Sequence, residues 1–170
     1  MPETIYYNSP LGVLKISGDD GFINQLAFAT SEKKEEPKDR IFKFETPVSE
    51  VLKKCISQLD LYFSGEHLFF DLSVEQKGTA FQQNVWQELL HIKPGKTISY
   101  LQLSKNLGDT KPIRAVGTAN GRNNIAIIVP CHRVIGSKGD LVGYSGDLWR
   151  KKWLLQHEAK YLNGVQSLFG

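Results

Sequence analysis

The stretch Ser99–Gly121, SYLQLSKNLGDTKPIRAVGTANG, decides how the second half of the chain folds. Ser99 is suited to cap a short helix over Tyr100–Leu107, which Gly108 closes. After Asp109-Thr110 a second short helix begins near Pro112 and ends near Gly121. Two short helices joined by a tight turn containing glycine form a helix-turn-helix pattern. The second helix is sparse: Ala115, Gly117 and Ala119 leave one side nearly bare. Glycine inside a helix costs about 1 kcal/mol relative to alanine, so a close approach of something else should compensate. Either another helix packs there, or the bare side, with Thr118, approaches a nucleic-acid groove. A helix is about 10–12 Å across and the minor groove about 6 Å wide, so only a small-residue helix in an opened groove could enter. Arg114 projects from this helix and Arg122 lies just beyond it. Arg114 has two readings: it contacts a phosphate, or it fills the gap left when a base is taken out of the stack.

Upstream, Thr79 opens a helix through Ile92 with Phe81, Val85 and Leu89 on one face, and Lys93-Pro94-Gly95 stops it. Asp71–Gly78 reads as an inter-domain linker. Before it, Val48, Val51, Leu52, Cys55, Ile56, Leu59, Tyr62 and Phe63 recur at helical spacing. Thr46 can cap that helix, Pro47 suits its first turn, and Gly65 follows its end. Ser31–Arg40 is charged and reads as a loop. Thr4–Tyr7, Val13–Ser17 and Phe22–Phe28 are strands of a meander, with turn residues at 9–12 and 18–21. Downstream, Ile125–Val129 is an apolar strand that runs into Pro130-Cys131-His132-Arg133. A glycine-rich stretch follows over Ile135–Gly146. Asp147 caps a last helix anchored by Trp149, Trp153 and Leu154.

The thiol of Cys131, with an imidazole and a guanidinium directly after it, has the neighbours that lower a cysteine pKa from roughly 8.5. The thiolate is the nucleophile, so this site would attack an electrophile. Adjacent side chains of an extended chain point to opposite faces, so a water would bridge Cys131 and His132. A histidine used as a base needs a partner on its other nitrogen, and Glu158 on the last helix is the acidic candidate. The alternative leaves Glu158 a solvated helix residue. Asn123 and Asn124 can tie loop backbone to a neighbouring turn. Gly143-Tyr144-Ser145-Gly146 offers donors for a heterocycle edge, or only a turn. Cys55 lies on an apolar stripe and reads as an inert core thiol.

The 170 residues suit two small domains, 1–77 and 78–170. Residues 1–77 carry 9 Lys+Arg against 13 Asp+Glu, and residues 78–170 carry 12 against 5, giving −4 and +7. The second half is where an anionic partner would dock; the alternative is a solvated basic face. No stretch approaches the roughly 20 apolar residues that cross a bilayer, and the N-terminus lacks signal-peptide features. Two cysteines make no disulfide framework. A soluble protein of a reducing cytoplasm is expected, and nothing signals oligomerisation, so a monomer is expected.

The strings FQQNVWQELLHIKPGKTISY, RAVGTANGRN, IVPCHRVIG, GYSGD and WLLQHE run in order across Phe81–Glu158. In these the chain resembles the O6-alkylguanine-DNA alkyltransferases; the first half resembles them only in general shape and position. The resemblance implies an α+β chain: a small ribonuclease H-like α/β domain, then a helical, winged-helix-like domain with a helix-turn-helix. It implies DNA repair by a single transfer of an alkyl group from O6-alkylguanine in duplex DNA to Cys131, without cofactor or metal. By motif position His132 acts through a water, Glu158 orients it, and Tyr100 assists base flipping and proton supply. Asn123 would hold the active-site turn, and Arg114 would replace the flipped base beside Ala115, Gly117, Thr118, Ala119 and Arg122. Tyr100, the Val134 backbone, Tyr144 and Ser145 would line the guanine pocket. Many relatives have proline where this chain has Asn124. Some carry an N-terminal zinc site, for which this half offers only Cys55 and His67. A helix-turn-helix binding protein or lesion sensor without chemistry, and a cysteine hydrolase using Cys131, His132 and Glu158, are the competing readings. Acceptance of O4-alkylthymine and of larger alkyl groups is left open.

Overall fold

The computed structural model describes residues 2–29, 48–108, 112–141, 144 and 147–169. They fall into two compact units, Met1–Gln76 and Lys77–Gly170. The expected loop at Ser31–Arg40, the cap and first turn at Thr46 and Pro47, Asp109-Thr110, and Ser145 lie outside the described residues.

In the first unit, β1 (Glu3–Ser9), β2 (Gly12–Asp19) and β3 (Phe22–Phe28) form an antiparallel meander in the order β1-β2-β3. The β2–β3 turn uses Asp20 and Gly21, both at positive φ (49° and 84°), the Asp-Gly chemistry that matches strand twist. Helix α1 (Glu50–Ser64) lies against all three strands, burying Leu52, Cys55, Leu59 and Tyr62 over Ile5, Leu14, Ile16 and Ile23. Each such aliphatic burial stabilises by about 1.5–3 kcal/mol. Gly18 permits the approach: a Cβ there would stand 3.1 Å from the Phe22 carbonyl oxygen and 3.2 Å from Val51 Cγ1. The helix starts from Ser49 and closes at Gly65 (φ 82°), as the glycine signal implied. Residues 71–78 are more than a linker. Ile23 donates to the Ser73 carbonyl and receives Glu75 N–H, both at 2.9 Å, which adds a parallel bridge at Val74 to β3.

The second unit begins with α2 (Ala80–Leu89), opened by a capping box between Thr79 and Gln82. It ends at Leu89, short of Ile92, because residues 90–92 turn on tighter i→i+3 bonds. Next come β4 (Ile98–Ser99), α3 (Tyr100–Asn106), α4 (Ile113–Gly121), β5 (Val134–Ile135), parallel to β4, and α5 (Leu148–Phe169). Ser99 Oγ accepts Gln102 N–H at 3.0 Å, the expected cap of α3. Trp86 Nε1 donates to the Ala119 carbonyl at 3.0 Å and ties α2 to the end of α4.

Three expectations change here. Ile125–Val129 is not a strand but a series of tight turns, with Val129 N–H bonded to the Ile125 carbonyl at 3.0 Å and Ile127 at φ 71°. Apolar composition signals burial, which it has, but not conformation. Trp149 and Trp153 are only half-buried; among the described residues of α5 the buried side chains are Arg150, Lys151, Leu154, His157 and Glu158. Asp147 starts α5 through its carbonyl, which accepts from Arg150 and Lys151 N–H, while its carboxylate meets Arg150 Nη1 at 3.4 Å. Among the described residues no helix is long and apolar enough to cross a membrane.

Candidate active site

Cys131–Arg133 is a 3₁₀ turn, not extended chain. The turn is held from behind. Asn123 Nδ2 donates to the Val129 carbonyl at 2.8 Å and the Ile125 carbonyl at 3.3 Å, and its Oδ1 receives Ile125 N–H at 3.1 Å. A left-handed conformation at Ile127 is strained for a β-branched residue and persists only where its surroundings enforce it. One amide side chain therefore braces the turn that presents the thiol.

Burial pushes the Cys131 thiol up, opposed by a hydrogen bond from Asn123 and by the Lys151 ammonium, and the net direction is upward. That corrects the sequence reading, in which its sequence neighbours lower it. Arg133 is spent elsewhere. Its Nε and Nη2 grip the Glu158 carboxylate at 3.0 and 2.7 Å, and its Nη1 donates to the Ile92 carbonyl at 2.6 Å. The cation that faces the sulfur electrostatically is Lys151, which is fully buried and donates to the Val134 carbonyl at 2.6 Å. Burial drops the Lys151 pKa to about 8, with Cys131 pulling it back up.

His132 has no exposure, and its Nε2 lies 2.9 Å from Glu158 Oε2. Burial pushes Glu158 up, but His132 and then Arg133 outweigh it and hold the carboxyl well below the usual range. An anionic acceptor fixes the proton on Nε2 and leaves Nδ1 as the basic nitrogen. His132 Nδ1 is buried with no hydrogen-bond partner among the described residues. Burial, helped by Arg133 and Lys151, keeps the ring's pKa below its ordinary value despite Glu158. The ring is thus a neutral base at pH 7.

Tyr100, half-buried at the start of α3, is coupled to the thiol: burial raises it, Asn120 lowers it by a hydrogen bond, and a Cys131 anion raises it. Lys151 Nζ stands 5.8 Å from the centre of its ring. Burial pushes Tyr144 well up, and Cys131 again contributes. The structure therefore gathers Cys131, His132, Glu158, Asn123, Tyr100, Val134 and Tyr144. On α4, Arg114 and Thr118 are exposed, Arg122 just beyond is exposed, and Ala115 and Gly117 are half-buried. Ala119 is corrected: it is 3% exposed on the core side with Val116, so it is not part of an outward face.

The sequence reading missed Lys151 and Asn120. Lys151, Leu154 and Glu158 follow i, i+3, i+7 and share the buried stripe of α5. Asn120 follows Val116 by four and Ala119 by one on the buried stripe of α4. The spacing was present in both cases, but polar side chains are ordinarily assigned to solvent.

The model of the 6-O-methylguanine DNA methyltransferase DNA-binding domain matches residues 80–160, and that of the same family's ribonuclease-like domain matches residues 4–76. A methylated-DNA–protein-cysteine methyltransferase of Methanosarcina acetivorans is 42% identical over 152 residues, 89% of this chain and 95% of the relative. One from Mycobacterium leprae is 44% identical over 162 residues, 95% of each chain. The crystal structure of Mycobacterium tuberculosis OGT in complex with DNA has a TM-score of 0.78 at 39% identity, covering 94% of this chain and 93% of that one. With both halves matched over their length, the chain belongs to the 6-O-methylguanine DNA methyltransferase family.

Proposed function

We propose that this chain repairs duplex DNA by moving the alkyl group of O6-alkylguanine onto Cys131, once per molecule, and that it does so as a cytoplasmic monomer. It is a methylated-DNA–protein-cysteine methyltransferase by reaction class, since relatives of that name align with it over nearly their whole length. The observation that carries the assignment to Cys131 is the buried constellation around its sulfur, with Asn123 and Lys151 stabilising the anion and the unspent Nδ1 of His132 available as base. Residues 78–170 are read as the DNA-binding and alkyl-acceptor domain and residues 1–77 as an N-terminal α/β domain.

The basic half engages phosphates with little sequence preference. The exposed side of α4 enters the minor groove, Arg114 fills the gap in the stack, and the lesion base turns into a pocket lined by Tyr100, the Val134 backbone and Tyr144. His132 Nδ1 takes the thiol proton through a water. The sulfur lone pair forms the S–C bond in line as the C–O6 bond breaks, its electrons staying on the guanine. Tyr100 gives its proton to guanine N3, which improves the leaving group. Solvent restores the phenol proton and takes up the imidazolium's. The product is a thioether, which no group here hydrolyses.

The test counts events. Full-length chain is mixed with excess duplex carrying O6-methylguanine, and restored guanine is measured against protein. A plateau at one per chain is expected, with none from Cys131→Ala. Continued turnover favours a hydrolase, and binding without restored guanine favours a sensor; either overturns the proposal.

A further inference from the structure

Asn120 is a polar side chain on the buried stripe of α4, 1% exposed, where its neighbours Val116 and Ala119 are apolar. Its Nδ2 donates to the Cys131 carbonyl at 3.3 Å. Its side chain is also hydrogen-bonded to the Tyr100 hydroxyl. We propose that Asn120 is a positioning residue of the transfer site: anchored on the Cys131 carbonyl, its amide holds the Tyr100 hydroxyl. The proposal deepens the reading above, in which Cys131 accepts the alkyl group and Tyr100 protonates the departing guanine.

The amide can adopt only one orientation. The Cys131 carbonyl is an acceptor, so a flipped amide would set oxygen against oxygen. With Nδ2 fixed there, its second hydrogen is the one available to the Tyr100 oxygen. A phenol oxygen that accepts from Asn120 does not spend its own hydrogen on that amide, and guanine N3 is the acceptor the reaction supplies. The same donor stabilises the phenolate formed as the proton leaves, which burial otherwise opposes.

Asn120 Oδ1 is buried without a hydrogen-bond partner among the described residues. A buried unmatched acceptor lowers stability, and an apolar side chain would fill this position without that loss. The donor bond to the Cys131 carbonyl and the hydrogen bond to Tyr100 account for an amide here; packing does not. Asn120 also lies on the helix that bears Arg114, so the element read as entering DNA itself positions the proton donor.

The experiment uses the full chain with Asn120→Ala and Asn120→Leu, the second nearly filling the original volume. Single-turnover methyl transfer from duplex O6-methylguanine is compared with alkylation of Cys131 by iodoacetamide, whose iodide leaves without a proton. Transfer from DNA is expected to slow by about tenfold or more, within the range of lost general-acid assistance, while the iodoacetamide rate holds. In a Tyr100→Phe background, Asn120→Ala is expected to add no further loss. Equal slowing of both reactions, losses that multiply with Tyr100→Phe, or failure of both variants to fold would make Asn120 a structural residue and overturn the proposal. If the wild-type chain does not methylate Cys131, the reaction assignment itself fails; if it does and the variants match it, only the role of Asn120 fails.

Discussion

Glu158 is a buried carboxylate that serves the Arg133 cation and the His132 ring at once, and replacing it separates structure from chemistry. Removing one partner of a buried pair leaves the other charge uncompensated. Glu158→Gln is expected to lower stability by about 3–5 kcal/mol, read by urea unfolding at pH 7. The pH dependence has a definite sign. Both Glu158 and His132 are held below their ordinary values in the folded chain. The unfolded chain therefore takes up protons first, near the ordinary values of roughly 6.5 for histidine and 4.3 for glutamate. The pair's contribution is present above about pH 6.5 and is lost as the pH falls through that value and then past 4.3. In Glu158→Gln the loss around the lower value should vanish; an unchanged acid profile contradicts the buried ion-pair account. Lys151→Met removes the cation that opposes burial of the thiolate, so the Cys131 pKa, followed by iodoacetamide rate against pH, should move up. Glu158 could be nominated from sequence because histidine needs a partner. The Arg133 grip on Glu158 and the Lys151 effect on the sulfur could not, because both depend on chain brought together across 25 and 20 residues.

At the scale of elements, α4 is the helix proposed to meet DNA, and its glycine tests that reading. A Cβ at Gly117 would meet only the Tyr100 ring, at 3.8 Å, an ordinary contact. No neighbouring helix requires the glycine at this position, whereas Ala119 packs on the core side. Gly117→Ala is accordingly expected to stabilise the chain by about 0.5–1 kcal/mol, read as a higher melting temperature, yet to slow transfer from duplex DNA. A stabilised variant with unimpaired repair contradicts groove entry by this face. Arg114→Ala should slow repair of duplex DNA while sparing reaction with free O6-benzylguanine; equal loss on both excludes the inserting role. The helices were legible because capping residues such as Thr79 and Ser99 and stops such as Gly65 act locally. Ile125–Val129 was misread because its turns are enforced by Asn123 and by burial, neither of which is a property of the segment itself.

For the whole molecule, the division of charge matters most. The second half carries +7 against −4 in the first. Binding to undamaged duplex should weaken steeply between about 50 and 200 mM salt, as released counterions dictate, while reaction with free O6-benzylguanine stays flat. The two-unit organisation was legible as a shift in composition, although the segment at 73–75 belongs to the first sheet through backbone bonds that no side-chain pattern announces. The central claim is that one sulfur keeps the alkyl group. Duplex carrying O6-methylguanine with an isotopically labelled methyl should be reacted to completion with the chain, which is then digested and mapped by mass spectrometry. All label is expected on the peptide containing Cys131, at one methyl per chain. Label on Cys55, or none on Cys131 after the lesion has disappeared, would contradict the account.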